Sequence, residues 1–230
     1  MKAVIMAGGL GKRLAPLTDT IPKPLLPIGE KSILELIIRR LKLAGCEEVI
    51  IATNYKSTLF EKYAVHLTDL GIKISFSREE TPLGTAGPLK LIQGNLKEPF
   101  IIINGDIITT LDFKKLFDNH VKKGARLTVC TREVEIPLHY GVIQLNEESY
   151  ILDVKEKPSL KSEINAGIYV LDPKVIEEIP DGFYHMTDLI KDMLKKEKIN
   201  GYKINDYWLD VGQLSTYNQA KEEIDKFDTV

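Results

Sequence analysis

Glycines and basic residues follow the first apolar run of the chain. Residues 3–7 (Ala-Val-Ile-Met-Ala) lead directly into residues 8–11 (Gly-Gly-Leu-Gly), and the cations Arg13 and Lys23 come after them. Glycine allows a positive φ and brings backbone N–H groups close to a ligand, so a turn of this composition can bind an anion such as phosphate. We interpret the segment as a strand that runs into a phosphate-binding loop.

Two common phosphate motifs do not fit this loop. A P-loop needs Ser or Thr after its lysine to bind Mg²⁺, but Lys12 is followed by Arg13. The dinucleotide fingerprint needs a small residue where Leu14 stands. A plain tight turn between a strand and a helix is the alternative interpretation.

Two aspartates stand where they could hold a cation beside that phosphate. Asp106 follows the apolar run 100–103, and ligands of open α/β sheets bind beyond the carboxyl ends of strands. Mg²⁺ takes oxygen ligands and phosphates, so it suits the aspartate better than zinc does. A second carboxylate, Asp210, lies in residues 207–212 (Tyr-Trp-Leu-Asp-Val-Gly). A turn cap is the alternative role for Asp106.

Two further polar clusters lie beside predicted strands. Residues 156–158 (Glu-Lys-Pro) end one strand, and residues 165–167 (Asn-Ala-Gly) begin the next. Lys157 could pair with a phosphate as a compact point charge, whereas a solvated surface is the alternative for a Glu-Lys pair.

Hydrophobic periodicity predicts the elements that position these residues. Strands are predicted at residues 2–7, 48–53, 72–76 and 100–103, and helices at 33–44, 57–67, 88–96 and 112–123, with a capping box at 32–35. Unbroken apolar strands between helices predict an α/β fold, a three-layer α/β/α arrangement around a mostly parallel, mixed central sheet. Shorter strands at 127–131, 140–144, 151–155 and 167–171 are expected to join the same sheet, and helices are expected at 173–179, 187–196 and 215–227.

Length and composition favour one domain over residues 1–230. The chain has 230 residues and a formal net charge of −2, which gives no positive field to hold nucleic acid. It shows no secretory leader and no apolar run long enough to span a bilayer. We therefore expect a cytoplasmic protein with no nucleic-acid or membrane partner.

The motifs occur together in the order of a known family. They are residues 8–18, 22–24, 83–87, 105–106, 156–158, 165–169 and 208–212. The chain resembles the sugar-1-phosphate nucleotidylyltransferases (nucleotide-sugar pyrophosphorylases), and residues 79–89 resemble the mannose-1-phosphate guanylyltransferase-like branch. The resemblance implies a Rossmann-like nucleotidyltransferase fold and a single catalytic domain, without an appended β-helix or regulatory domain.

The resemblance also implies roles for individual residues. The implied nucleotide-binding residues are Ala7, Gly8, Gly9, Gly11, Arg13, Lys23, Glu79, Gly84, Thr85 and Asp106. Gly141, Glu156 and Asn165 are implied to contact the sugar, and Lys157 its phosphate. Asp106 and Asp210 are implied to bind Mg²⁺ and, with Arg13 and Lys23, to form the catalytic set. Lys12 departs from the family pattern, in which many members have Thr.

The implied reaction transfers a nucleotidyl group from a nucleoside triphosphate to a sugar 1-phosphate and releases pyrophosphate. Glu79 stands near the position at which thymidylyl- and uridylyl-type relatives carry Gln. A carboxylate only accepts hydrogen bonds, so it suits guanine N1–H and N2–H₂ and repels the carbonyl groups of uracil. GTP is therefore favoured; uridylyl, thymidylyl and cytidylyl transfer are the alternatives, cytosine because it offers an N4 donor.

Two other classes of protein fit the sequence less well. A metal-dependent glycosyltransferase usually carries Asp-x-Asp, but Asp106 is followed by Ile107 and Ile108. A non-catalytic regulator would be expected to lose Arg13, Lys23 or one aspartate, and none is lost. The expected partners are GTP and a sugar 1-phosphate, and a homo-oligomer is compatible with the sequence.

Overall fold

The computed structural model describes residues 1–54 and 56–228. Its strands are β1 (Lys2–Met6), β2 (Pro27–Ile28), β3 (Lys31–Ser32), β4 (Glu48–Thr53), β5 (Lys73–Arg78), β6 (Phe100–Asn104), β7 (Ile107–Thr109), β8 (Leu127–Pro137), β9 (Val142–Leu145), β10 (Ile151–Lys155), β11 (Ser159–Leu171), β12 (Asn200–Lys203) and β13 (Trp208–Asp210). Its α-helices are α1 (Leu17–Thr20), α2 (Ile33–Leu43), α3 (Ser57–Ala64), α4 (Phe113–Lys123), α5 (Met186–Leu194) and α6 (Leu214–Glu222). Short 3₁₀ helices cover Lys12–Leu14, Lys23–Leu25, Val65–Leu70, Gly87–Asn95, Pro173–Glu178 and Ile224–Lys226.

A seven-stranded sheet forms the centre of the molecule, in the order β12-β8-β11-β6-β1-β4-β5. Strands β6, β1, β4 and β5 are parallel neighbours, and β12 runs parallel to β8. Strand β11 is antiparallel to both of its neighbours, β6 and β8. The predicted mostly parallel, mixed sheet is therefore confirmed.

Two apolar layers cover this sheet. Along β1, Ala3 and Ile5 belong to a core with α2, α4 and α6, whereas Val4 belongs to a second core on the other face. The second core contains α5 and the 3₁₀ helices Gly87–Asn95 and Pro173–Glu178. Alternate side chains of a strand point to opposite faces, so an unbroken apolar strand requires cover on both sides. The predicted three-layer arrangement is confirmed. Among the described residues, no helix combines the length and apolar character needed to cross a bilayer.

The prediction that residues 140–144 and 151–155 join the central sheet is wrong. Strands β9 and β10 pair with each other in a separate two-stranded sheet. The reason is that only residues 146–150 connect the two strands, and neighbouring strands joined by so short a connection pair with each other as an antiparallel hairpin. Strands β8 and β11 are also longer than predicted, because their outer halves pair with each other beyond the sheet.

The predicted capping box of α2 is formed only in part. The Ser32 hydroxyl accepts a hydrogen bond from the backbone N–H of Glu35 at 3.0 Å, as expected for an N-cap residue. The Glu35 carboxylate instead bonds Arg39, one turn further along the helix, and the hydroxyl of Tyr63. The helix start is thus fixed by Ser32 alone.

Replacing Ser32 with Ala should lower the free energy of unfolding by about 1 kcal/mol, because an N–H group at the start of α2 loses its acceptor. Ser162→Ala is the matched control, since Ser162 is an exposed strand residue and surface changes of this kind usually stay within about 0.5 kcal/mol. Urea denaturation of both variants measures the difference. Equal midpoints for the two variants would contradict the capping role.

Candidate active site

Three adjoining clefts open at the carboxyl ends of the parallel strands, and we name each by the ligand group that the sequence analysis predicts for its residues. One of about 250 Å³ is lined by Gly9, Gly11, Arg13, Lys23 and Asp106 among others; we call it the phosphate cleft. A second of about 340 Å³, the base cleft, shares Met6, Gly9 and Asp106 with the first. A third of about 370 Å³, the sugar cleft, shares Thr85 and Asn104 with the second. Asp106 therefore lies where the phosphate and base clefts meet, and Asp210 lines the sugar cleft.

The short ladder between β7 and β13 places the two aspartates side by side. Asp210 is paired with Ile107, and the backbone N–H of Val211 donates to the carbonyl of Asp106 at 2.9 Å. The indole N–H of Trp208 donates to the carbonyl of Ala166 at 2.9 Å, which ties β13 to β11. These contacts hold Asp106 and Asp210 on rigid backbone at one edge of the phosphate cleft.

Lys23 lies between the two carboxylates. Its Nζ is 2.5 Å from Asp106 Oδ2 and 4.0 Å from Asp210 Oδ1, and its side chain is only 9% exposed. Burial and the neighbouring Asp106 raise the pKa of Asp210, while Lys23 and Arg13 lower it. The cation thus compensates two like charges that could not otherwise lie so close together.

One oxygen of each aspartate lacks a hydrogen-bond partner. Asp106 Oδ1 and Asp210 Oδ1 are buried and accept no hydrogen bond from the described residues. A buried carboxylate oxygen normally has a partner, so such an orphan pair points to an ion or ligand. Mg²⁺ is typically held by one or two carboxylates together with substrate phosphates, and the donor set fits that ion. Within residues 1–54 and 56–228 no cluster of three or more His, Cys, Asp or Glu residues could form a fuller metal site.

The glycine-rich loop forms the wall of the phosphate cleft. Gly11 has a φ of 64°, and a Cβ there would lie 2.9 Å from the Thr18 methyl group. The Thr18 hydroxyl donates to the carbonyl of Gly11 at 3.0 Å, so this packing fixes the loop. Ala7, Lys12 and Arg13 also line the cleft. The structure thus brings Gly9 and Gly11 into one cleft with Arg13 and Lys23.

Glu79 lines the base cleft as a buried carboxylate. It is 5% exposed, and its Oε2 accepts a hydrogen bond from the backbone N–H of Leu83 at 2.8 Å. Burial raises the pKa of Glu79, and the hydrogen bonds from Leu83 and Asn54 oppose that rise. A Cβ on Gly8 would lie 2.6 Å from Glu79 Oε1, so Gly8 is needed for the carboxylate to occupy this position.

The segment 182–186 holds the Leu-Gly-Thr-Ala-Gly motif at residues 83–87 against the base cleft. The backbone N–H groups of Ala86 and Gly87 donate to the carbonyl of Tyr184, and the backbone N–H of Tyr184 donates to the carbonyl of Leu83. Gly84 has a φ of 81°, and a Cβ there would lie 2.5 Å from the carbonyl oxygen of Tyr184. The glycine at residue 84 is thus required by a backbone contact across the fold.

Asn165 is the predicted sugar-binding residue that lies in a cleft. It lines the sugar cleft together with Asp210, His185 and Trp208. Its Nδ2 donates to the hydroxyl of Tyr169 at 2.8 Å, and its Oδ1 accepts from the backbone N–H of Gly167 at 3.0 Å. The amide of Asn165 is therefore held in one orientation.

The other predicted sugar-binding residues lie at the base of the β9–β10 hairpin and line none of the three clefts. A Cβ on Gly141 would lie 3.2 Å from Glu156 Oε2, which places Gly141 beside Glu156. Lys157 Nζ is 3.9 Å from Glu156 Oε1, and both side chains are largely exposed. The structure thus groups Gly141, Glu156 and Lys157 with each other but not with Asn165.

Several cleft residues were not singled out from the sequence. Asn54 directly follows β4, Asn104 ends β6, and both line the base cleft. Their positions at strand ends could have identified them from the sequence. Phe183 lines the base cleft, and its ring packs edge-on against His185 with centroids 4.7 Å apart. No sequence pattern identifies Phe183, because it reaches the cleft only through the contacts of segment 182–186.

This arrangement defines the class of open α/β proteins, whose ligand sites lie at the carboxyl edge of the sheet. The model of the nucleotidyl transferase family matches residues 2–226, and the chain belongs to that family.

Relatives match most of this chain but a smaller share of their own length. It is 37% identical over 222 residues to the mannose-1-phosphate guanylyltransferase catalytic subunit beta of Drosophila pseudoobscura pseudoobscura, and 39% identical over 228 residues to the mannose-1-phosphate guanyltransferase of Candida albicans. These matches cover 92% and 93% of this chain but 59% and 61% of the relatives. The solved structure of HddC from Yersinia pseudotuberculosis complexed with GMP-PN is 28% identical with a TM-score of 0.76, over 97% of this chain and 99% of that one.

Gly8→Ala should destabilise the fold by about 1–3 kcal/mol, because the added methyl group displaces the buried Glu79 carboxylate from its hydrogen bond with Leu83. Gly9→Ala is the matched control, since its Cβ would meet no atom within 4 Å. Thermal unfolding without ligand measures both variants. If Gly8→Ala unfolds at the temperature of Gly9→Ala, the described packing of Glu79 against Gly8 is incorrect.

Proposed function

We propose that this chain transfers a guanylyl group from GTP to a sugar 1-phosphate and releases pyrophosphate. The observation that carries the proposal is the pair of buried carboxylate oxygens of Asp106 and Asp210 that lack hydrogen-bond partners and lie next to Lys23. Asp106 lines the phosphate and base clefts, and Asp210 lines the sugar cleft. One cleft suits a nucleobase, one a chain of phosphates and one a sugar. Ligands in these adjoining clefts would meet beside Asp106 and Asp210, which supports a reaction at that point.

Asp106 and Asp210 are the residues that would hold Mg²⁺ in this proposal. When bound, the ion would offset the negative charge of the reacting phosphates. Arg13 and Lys23 line the same cleft, so they would bind and orient the triphosphate. Lys12 adds a third cation to this wall, which supports a highly charged ligand.

The reaction needs no protein nucleophile. An oxygen of the sugar phosphate attacks the α-phosphorus of GTP, and a new phosphorus–oxygen bond forms there. The bond from the α-phosphorus to the oxygen that bridges to the β-phosphorus breaks, and pyrophosphate leaves with that oxygen. In such a step, much of the rate enhancement comes from holding the two anions in line. Fixed positive groups that stabilise the transition state supply most of the remaining enhancement.

Guanine is the proposed base because of Glu79. Its carboxylate accepts hydrogen bonds only, which matches the N1–H and N2–H₂ donors of guanine. The names of the relatives support the choice, as does the GMP-PN bound to HddC. Phe183 is 62% exposed at the rim of this cleft, where an aromatic ring could stack on a purine.

Mannose 1-phosphate is the proposed acceptor on the basis of the relatives' names. Asn165 would contact the sugar in the sugar cleft, and Gly141, Glu156 and Lys157 would approach it from the hairpin base. Pyrophosphate release from a matrix of GTP, UTP, dTTP, CTP and ATP against several sugar 1-phosphates tests the proposal. Release with GTP and mannose 1-phosphate is expected to be fastest; no release with any pair would refute nucleotidyl transfer.

Asp106→Asn and Asp210→Asn should each lower kcat by at least about 100-fold while the fold is kept, because each removes a charge that the proposed Mg²⁺ needs. Asp118→Asn serves as the control, since Asp118 forms an exposed ion pair on α4. Steady-state kinetics over a range of Mg²⁺ concentrations, with calorimetric titration of the ion alone, measures the effect. Wild-type turnover in either variant at saturating Mg²⁺ would exclude the metal assignment.

Glu79→Gln should reduce kcat/KM for GTP at least several-fold, because losing a charged hydrogen-bond partner in a buried site costs about 1–3 kcal/mol. The difference between kcat/KM for GTP and kcat/KM for UTP should become smaller. Glu80→Gln is the neighbouring control, as Glu80 is exposed. Competition assays with GTP and UTP measure the ratio of the two kcat/KM values. A preference for UTP in the wild-type protein would overturn the guanine assignment, and an unchanged ratio in Glu79→Gln would move base recognition to the backbone at Ala7–Gly8 or Gly84–Thr85.

A further inference from the structure

His185 is a side chain that helix α5 does not need. It occupies the position just before the helix, where Ser, Thr, Asp or Asn normally accepts a hydrogen bond from the first turn. The imidazole forms no such bond. Instead the hydroxyl of Thr85, from a distant segment, accepts a hydrogen bond from the backbone N–H of Met186 at 2.8 Å. The start of the helix is therefore supported from outside, and helix stability does not explain a histidine at this position.

The backbone on both sides of His185 is firmly held. The carbonyl of His185 accepts hydrogen bonds from the N–H groups of Asp188 and Leu189 at 3.0 and 3.1 Å. The preceding residue, Tyr184, is hydrogen-bonded through its backbone to the segment 83–87. The side chain of His185 therefore projects from a fixed point of the fold.

This point lies between two of the clefts. His185 lines the sugar cleft, whereas Phe183 lines the base cleft. The two rings meet edge-on, with centroids 4.7 Å apart and planes at 81°. Phe183 thus limits how the imidazole can turn, although His185 is exposed. A side chain that is already oriented loses less freedom when a ligand binds, which favours affinity.

Several other polar groups of the sugar-cleft wall are already used within the protein. The indole N–H of Trp208 donates to a backbone carbonyl of β11, and the amide of Asn165 donates to the hydroxyl of Tyr169. The hydroxyl of Thr85 supports α5. By contrast, neither ring nitrogen of His185 forms a hydrogen bond with any residue that the structure describes. Both nitrogens are therefore available to a ligand in this cleft.

An imidazole with two available nitrogens suits a sugar hydroxyl group. The neutral ring carries one donor and one acceptor nitrogen, and a hydroxyl group both donates and accepts. A phosphate is matched instead by fixed cations, and Arg13 and Lys23 line the phosphate cleft. Among the described residues, no lysine or arginine lines the sugar cleft. The chemistry of the wall therefore favours the sugar ring as the partner of His185.

We propose that His185 is a specificity-determining residue, whose imidazole forms a hydrogen bond with one hydroxyl group of the acceptor sugar. This inference rests on the function proposed above, because it places a sugar 1-phosphate in the sugar cleft. A hydrogen bond between neutral groups changes affinity by roughly 2- to 10-fold. His185 thus selects for the sugar that carries this hydroxyl group.

Calorimetric titration of mannose 1-phosphate and each of its monodeoxy analogues, with and without a non-hydrolysable GTP analogue, tests the contact. His185→Phe keeps an aromatic ring beside Phe183 but removes both nitrogens, so it should weaken binding of mannose 1-phosphate several-fold. One deoxy analogue should bind equally well to both proteins, because it lacks the hydroxyl group that His185 contacts. His66→Phe is the matched control, since His66 is also exposed and edge-on to an aromatic ring, that of Tyr63, but lines none of the three clefts.

Two results of the titration would overturn the inference. The first is equal affinity of the wild-type protein and His185→Phe for mannose 1-phosphate. The second is the same loss of affinity in His185→Phe for mannose 1-phosphate and for every deoxy analogue, because the shape of the ring would then matter and its hydrogen bond would not.

Proton NMR of the wild-type protein provides a measurement that needs no variant of altered affinity. The chain has only four histidines, so their ring C–H signals can be assigned by substitution. Mannose 1-phosphate should shift the signals of His185 and leave those of His66 unchanged. Unshifted His185 signals at millimolar mannose 1-phosphate would overturn the inference.

Binding and transfer are measured separately, so the two proposals can fail separately. Binding that depends on His185, without pyrophosphate release from any pair of substrates, would refute the proposed reaction alone. Pyrophosphate release together with binding that does not depend on His185 would refute this inference alone.

Discussion

The ion cluster of Asp106, Asp210 and Lys23 is the constraint around which the site is organised. Two carboxylates can lie side by side in a partly buried place only if a cation compensates them. Lys23 contributes one such charge from the start of a 3₁₀ helix, and the β7–β13 ladder fixes both aspartates on backbone. One oxygen on each carboxylate lacks a hydrogen-bond partner among the described residues, which supports the proposal of a further ligand at this cluster.

Close backbone approach is the second constraint on the clefts. Gly8 leaves room for the carboxylate of Glu79, and Gly84 leaves room for the carbonyl of Tyr184. At Gly84 an added Cβ would lie 2.5 Å from a backbone oxygen, which no side-chain movement can relieve. At Gly8 it would lie 2.6 Å from a carboxylate oxygen, so the Glu79 side chain would have to move. The glycines therefore shape the base cleft through contacts with distant segments, in addition to any direct contact with a phosphate.

The molecule consists of a central sheet with covered faces and a small hairpin outside that sheet. The phosphate and base clefts open at the ends of central strands, and an apolar layer covers each face of the sheet. Within the described chain the two hairpin strands, β9 and β10, pair only with each other, and all of their residues are exposed. The residues predicted to contact the sugar are therefore divided: Asn165 lines a cleft, whereas Gly141 and Glu156 flank the exposed hairpin.

The sequence by itself determined the layer order, the glycine loop and the two aspartates. An apolar run such as 100–103 between helical segments indicates a buried strand, and residues that follow parallel strands meet at one edge of the sheet. Tertiary structure alone decided the rest. Phe183 and His185 reach the clefts through hydrogen bonds to residues 83–87, and β8 and β11 extend beyond the central sheet because their outer halves pair with each other. Such contacts join residues far apart in the chain, and local periodicity carries no information about them.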